Sequence, residues 1–301
     1  METKSGYVTI IGKPNAGKST LMNLLVGERL SIITNKPQTT RKKILGIMSD
    51  EKHQIIYLDT PGILEPTYLL QQRMVEFINN AMRDADVLVC LFDIDSDPEG
   101  KEILENEDLL TFFKKKKIPK ISVINKIDLA DEKKVKNLSS ILKETGYFEE
   151  VLPVSAKLAY NVDILINKIK EALPIGPKYY PDDQLTDENE RFFVSEILRE
   201  KVFELYRDEI PFSVEVLIEE FKERENAKDY ISASIIVERE SQKPIIIGKK
   251  GEAIKQLGKI ARSSIENFLG REVYLEVRVK VKPKWRSDSN QLKNFGYYQG
   301  D

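Results

Sequence analysis

Gly12-Lys13-Pro14-Asn15-Ala16-Gly17-Lys18-Ser19 follows directly on the apolar run Tyr7 to Ile11 and opens a helical stretch, Lys18 to Val26. The segment fits G-x-x-x-x-G-K-[ST] at a strand-to-helix turn. Its glycines let main-chain N–H groups wrap phosphate oxygens, the helix N-terminus adds positive potential, and Lys18 neutralises the outer phosphates. Ser19 is expected to ligate Mg2+, with Thr20 beside it in the same site.

Working outward, short apolar runs alternate with longer amphipathic ones. Tyr7 to Ile11, Ile55 to Leu58, Val87 to Phe92, Ile121 to Ile124 and Val151 to Val154 read as strands, most of them apolar on both faces. Lys18 to Val26, Thr67 to Arg83, Lys101 to Lys117, Glu132 to Thr145 and Asn161 to Ala172 read as helices. This alternation predicts an α/β domain over residues 1–173, a mainly parallel sheet with helices on both faces. Ile44 to Met48 is read as an added antiparallel edge strand. Leu173 to Pro181 holds three prolines and a glycine, so residues 174–187 are expected to be a linker.

A chain of 301 residues is long enough for two domains with their own cores. Apolar residues make up 41% and charged ones 32%, which excludes a disordered or membrane-embedded chain. No apolar run reaches a membrane span, and Met1 to Tyr7 lacks the features of a secretory signal, so the expected compartment is the cytoplasm. The single cysteine, Cys90, lies within an apolar run and reads as a buried core thiol. His53, the one histidine, has no metal partner or base constellation around it in the sequence, and no metal cluster is expected. The net charge of -2 hides a division: from Ser241 on, 13 Lys and Arg stand against 6 Asp and Glu. That split points to an anionic partner for the C-terminal part.

Asn125-Lys126-Ile127-Asp128, at the end of another strand, selects the base. The Asp128 carboxylate has only acceptors, which suit the N1–H and N2–H2 edge of guanine; adenine offers no such pair. Ser155-Ala156-Lys157 ends the next strand, where the Ala156 N–H is expected to donate to guanine O6. Asp59-Thr60-Pro61-Gly62 puts a carboxylate near the metal and the Gly62 N–H near the terminal phosphate. In Pro37-Gln38-Thr39-Thr40-Arg41, one of the two threonines, with Thr40 the choice, should complete the Mg2+ shell only when that phosphate is present. Lys18, Thr40, Gly62 and Asn15 are the candidate catalytic residues.

These motifs resemble the translation-factor-related class of GTPases over Tyr7 to about Leu173. The resemblance implies a P-loop GTPase domain, with GTP as substrate and Mg2+ as cofactor. It further implies that Asn15 helps coordinate a K+ ion acting like an arginine finger. Small signalling GTPases place a water-orienting Gln after Asp-Thr-Pro-Gly, whereas this chain has Ile63, so slow hydrolysis stimulated by potassium or a partner is expected.

Beyond the linker, residues 188–282 read as helix, strand, strand, helix, helix, strand, an α+β unit. Ile247-Gly248-Lys249-Lys250-Gly251 joins two helical segments by a G-x-x-G loop, with Ile254 following. Glycines let such a loop approach a sugar-phosphate backbone, and Lys249 and Lys250 supply charge. In this order of elements the unit resembles a type II KH domain. Residues 283–301 read as a basic tail; in the run Lys280 to Arg286 that leads into it, Lys282, Lys284, Trp285 and Arg286 suit stacking on a base or phosphate contact, and a solvated terminus with one packed tryptophan is the alternative. Lys114 to Lys117 reads as a solvated helix end, with an added RNA contact as the alternative.

A GTPase followed directly by a type II KH domain resembles the Era family across essentially the whole chain. That resemblance implies single-stranded binding near the 3′ end of 16S ribosomal RNA on the maturing small (30S) subunit, and peripheral association with the inner membrane; a monomer is expected, which the sequence itself does not fix. Two other readings remain at this point: a signalling GTPase whose KH-like module binds protein, and a nucleotide-binding module without turnover.

Overall fold

The computed structural model describes residues 2–298. Internal contacts divide the chain into two units: one runs to Glu65 and resumes from Met74 to Asp187, and the other takes Pro66–Arg73 and the chain from Glu188 on.

In the first unit the elements follow as β1 (Lys4–Gly12), α1 (Lys18–Val26), β2 (Ile44–Ser49), β3 (His53–Asp59), α2 (Leu69–Asp84, its first turn in the second unit), β4 (Val87–Asp93), α3 (Lys101–Leu104), α4 (Glu107–Lys115), β5 (Lys120–Asn125), α5 (Glu132–Glu144), β6 (Glu150–Pro153) and α6 (Val162–Ala172). The sheet order is β2-β3-β1-β4-β5-β6, parallel throughout except for the antiparallel edge strand β2. β4 and β5 are buried along their whole length, which is why their sequences read as unbroken apolar runs rather than alternating ones. Ile11, Leu88, Cys90, Phe92 and Ile124 pack with Leu138 and Leu142 of α5 on one side of the sheet. Burial pushes the Cys90 thiol up, so it is an inert core group. β1, β3, β4 and β5 all end on the same edge, and there the loops that carry the motifs converge.

Three expectations are corrected. The helix expected over Lys101 to Lys117 is two: α3 ends at Leu104, and the Asn106 side chain accepts from Leu109 N to start α4. Residues 174–187 are no free linker. Prolines remove donors but not acceptors, and the segment is pinned to the first unit through Pro174 O, Tyr180 O and Leu185 O, which accept from Ser5 N, Gln54 Nε2 and Ile47 N.

The second unit contains α7 (Glu190–Leu205), α8 (Ile210–Ser213), β7 (Glu215–Lys222), β8 (Asp229–Val237), α9 (Gln242–Ile247), α10 (Glu252–Leu269) and β9 (Val273–Val281). The sheet order is β7-β8-β9; β7 and β8 are antiparallel, and β8 pairs parallel with β9 through the crossover made by α9 and α10. Val194, Leu198 and Val202 of α7 and Leu257, Ala261 and Ile265 of α10 cover one face of the sheet at helical spacing. The third correction concerns the expected tail. A 3-10 turn at Trp285–Ser287 and α11 (Ser289–Asn294) continue the fold, with Trp285, Leu292, Phe295 and Tyr297 buried; residues 299–301 of that expectation lie outside the described residues. No helix among the described residues is long and apolar enough to cross a membrane.

Candidate functional site

β1 delivers Gly12 to the edge of the sheet, and the following loop turns into α1, whose first-turn N–H groups have no side-chain cap and no acidic residue to neutralise them. The Lys18 ammonium is buried and donates to the carbonyls of Gly12 (3.0 Å) and Lys13 (2.6 Å). Burial pulls its pKa down to about 8, against the opposing attraction of Asp59. The Lys13 side chain turns away to an ion pair with Glu102, so this residue offers the site its backbone alone.

Behind Ser19 lies Asp59, at the end of β3. Its two carboxylate oxygens are buried with no hydrogen bond of full geometry among the described residues; burial raises its pKa, the charge of Lys18 opposes the rise, and Ser19, Ser31 and the Thr60 N–H lie close enough to favour the charged form. Ser19 Oγ and Thr40 Oγ1 lie 2.9 Å apart. Thr39 also lines the cleft, but its hydroxyl is engaged in its own loop, meeting Thr34 Oγ1 at 2.6 Å and donating to Lys36 O. A buried carboxylate with unspent lone pairs beside two hydroxyls is an all-oxygen donor set, the chemistry that suits Mg2+.

Thr60 takes no direct place in the cleft: its hydroxyl is buried and donates to Ile10 O. With Pro61 it carries the chain to Gly62, where a Cβ would come within 2.4 Å of Pro14 N; only glycine allows this approach to the phosphate loop. Asn15 Nδ2 donates to Asn35 O, linking the phosphate loop to the segment that precedes Thr40.

On the base side, Asn125 Nδ2 donates to Ala16 O (2.7 Å), tying the base loop to the phosphate loop. The Ala156 N–H, the donor expected for guanine O6, lies at the base loop and donates to Asn125 Oδ1 at 2.9 Å. Ser155 Oγ donates to Asp128 Oδ1 at 2.6 Å, orienting the carboxylate. Gly17, Lys18, Ser19, Thr20, Thr40, Gly62, Asn125, Lys126, Asp128, Ala156 and Lys157 line one cleft of about 570 Å3.

In the second unit α9 and α10 meet at the G-x-x-G loop. Gly248 has φ 73°, and a Cβ there would strike Ala253 at 2.5 Å, so the position is restricted twice over. Lys249 and Lys250 are exposed and have no ion-pair partner among the described residues; Ile247 and Ile254 flank them, half-buried. The remaining expected RNA residues divide. Lys284 is exposed, but Lys282 donates to Gln291 Oε1 and lies over the Phe295 ring. Arg286 is bound to Glu238. Trp285 cannot stack on a base: it is fully buried, packs edge-on against Phe295 and donates its indole N–H to Ser213 O.

The family model described as "50S ribosome-binding GTPase" matches residues 7–126, and one described as "KH domain" matches residues 209–286. GTPase Era of Clostridium botulinum (strain Langeland) is 42% identical over 294 residues, 98% of each chain. The chain belongs to the Era family of GTPases. The chloroplastic GTPase ERA1 of Zea mays is 44% identical over 300 residues, 98% of this chain and 70% of the maize protein. Among solved structures, Era in complex with MgGDPNP and nucleotides 1506–1542 of 16S ribosomal RNA superimposes with a TM-score of 0.91 at 43% identity, covering 99% of this chain and 100% of that one. A variant of Aquifex aeolicus Era bound to GDP·AlF4− matches equally, at 42% identity, a TM-score of 0.91 and the same coverage.

Within this Era-family cleft, Ile32, Ile33, Thr34, Asn35 and Leu129 also line the walls and were not read from the sequence, and Gln38, quoted only as part of its segment, joins them. Leu129 follows Asp128 directly and so was within reach of the motif. Ile32 and Ile33 lie in irregular chain, where no periodicity marks them.

Proposed function

We propose that this chain is a GTP-hydrolysing switch that binds single-stranded RNA near the 3′ end of 16S ribosomal RNA and assists assembly of the small ribosomal subunit. What carries the reading is the pairing, in one chain, of the Asp128 cleft with a G-x-x-G loop whose two lysines have no ion-pair partner among the described residues. Membership in a family whose solved members hold MgGDPNP, GDP·AlF4− and that RNA supports it.

The N–H groups at the start of α1, which no side chain caps among the described residues, bind the phosphates, and Lys18 exchanges its carbonyl partners Gly12 and Lys13 for phosphate oxygens. Asp128, oriented by Ser155, accepts from the guanine N1–H and N2–H2. Ser19, Thr40 and Asp59 are the residues that would hold Mg2+, which neutralises charge on the phosphate oxygens. Thr40 and the Gly62 N–H respond to the terminal phosphate, and its loss releases both segments. Ile63 cannot orient water, so turnover is slow until K+ near Asn15 or a bound partner assists. Lys249 and Lys250 take the RNA backbone. The chain works in the cytoplasm, with peripheral contact at the inner membrane carried over from the family resemblance alone.

Sequencing of RNA crosslinked to the protein, with and without a non-hydrolysable GTP analogue, tests partner and switch together. Enrichment of the 3′ end of 16S ribosomal RNA that depends on the analogue is expected. Uniform recovery of RNA in both conditions would contradict it.

A further inference from the structure

We propose that Asp93 is a positioning residue for the nucleotide: it fixes Lys126 so that the lysine stem forms one wall of the base pocket. The inference rests on the reading of the cleft as a guanine-nucleotide site.

Asp93 is the last residue of β4 and stands in register with Asn125, the last residue of β5, so the two parallel strands bring it beside the base loop. Lys126 Nζ donates to Asp93 Oδ2 at 2.6 Å, with the Asp93 side chain 4% and the Lys126 side chain 28% exposed. The other oxygen, Oδ1, accepts from Asp95 N, so the carboxylate is held at both ends. Lys126 itself has φ 64°, a left-handed backbone that a lysine adopts at a cost and keeps only where its surroundings hold it.

A lysine left to itself samples many rotamers, and closing a pocket with one costs entropy on binding. Lys126 lines the cleft next to Gly17, Asp128 and Leu129, and its partner is nearly buried, where a charge-assisted hydrogen bond is strong. The pair therefore sets the wall before the base arrives. Because Asp93 reaches the nucleotide only through Lys126, its effect belongs to binding and not to phosphate chemistry, and it is the same for GTP and GDP.

The test is equilibrium titration of fluorescent GTP and GDP analogues with the full chain and its variants, beside turnover at saturating GTP. Asp93→Ala should weaken both nucleotides by about tenfold, to the same extent, with kcat within about twofold. Asp93→Asn, which keeps shape and an acceptor, should recover most of that loss. In a Lys126→Met background, where the apolar stem remains and the ammonium is gone, Asp93→Ala should add less than about twofold. Wild type holding GDP with Asp93→Ala equally tight, a fall in kcat at unchanged KM, or the same loss with Met at position 126 would overturn the positioning role alone. Wild type holding no guanine nucleotide would overturn the reading beneath it.

Discussion

Ser19 Oγ and Thr40 Oγ1 meet at 2.9 Å in the cleft, joining the first turn of α1 to the loop before β2, with the carboxylate of Asp59 buried close to Ser19. Thr39, one residue away, spends its hydroxyl within its own loop on Thr34 and Lys36. The two neighbours therefore have different consequences. Thr40→Ala should weaken binding of the Mg2+–GTP complex by about tenfold while GDP affinity stays within about twofold; Thr39→Ala should change the GTP to GDP ratio little. Parallel titrations with both nucleotides decide between them.

The site should respond to pH through Lys18. Its pKa of about 8 in the free protein, set by burial against the attraction of Asp59, means the proton is lost as pH rises through 8. A bound triphosphate holds that proton, so binding takes one up and affinity falls with rising pH. Affinity should be nearly flat below about pH 7 and fall toward about tenfold per unit between about 8 and 9, which calorimetry across that range measures. The sign for stability is opposite. Without nucleotide, the unfolded chain binds the extra proton in the window from about 8 to the ordinary lysine range, so the folded protein gains stability as pH rises through it.

How far the sequence could be read depended on what each residue needed for its role. Lys18–Val26 matches its expectation because glycine, lysine and an apolar run lie in one continuous segment. Asp93 could not be found this way: only the pairing of β4 with β5 brings it to Lys126. Thr39 and Thr40 are adjacent in one polar loop, and the sequence does not say which hydroxyl turns toward the cleft. Trp285 misled for a different reason. Its cationic neighbours suggested an exposed tail, while the apolar signal came from Leu292, Phe295 and Tyr297 further on, which are buried in the second unit, Phe295 against the Trp285 ring. Asn106, by contrast, carried a legible N-cap signal that the longer helical pattern around it concealed.

Trp285 and the loop lysines should separate cleanly in experiment. Trp285→Ala should lower the stability of the second unit by roughly 3–5 kcal/mol, seen as an earlier thermal transition, while RNA affinity of the folded fraction changes little. Lys249→Asp with Lys250→Asp should leave melting unchanged and abolish tight RNA binding. In a salt titration of the milder pair Lys249→Ala and Lys250→Ala, the slope of log affinity against log salt should flatten by about 1.4, two phosphate contacts on a single strand.

Gly62 sets a steric limit on the response to GTP. A methyl group there would meet Pro14 N at 2.4 Å, so Gly62→Ala must push the loop away from the phosphates. Turnover should fall by about a hundredfold, the range seen when one stabilising donor is removed, while GDP binding persists. Phosphate release and GDP titration on the same preparation check both halves. Comparison of potassium and sodium salts on wild type then tests Asn15, with faster release expected in potassium.

The central claim is that the carboxylate of Asp128 chooses the base. Calorimetry in magnesium should show GTP bound to wild type and ATP not detectably bound. Asp128→Asn, whose amide can donate to the C2 carbonyl of xanthine, should lose GTP and gain XTP. ATP held as tightly as GTP by wild type, or GTP affinity undiminished by Asp128→Asn, would contradict the account.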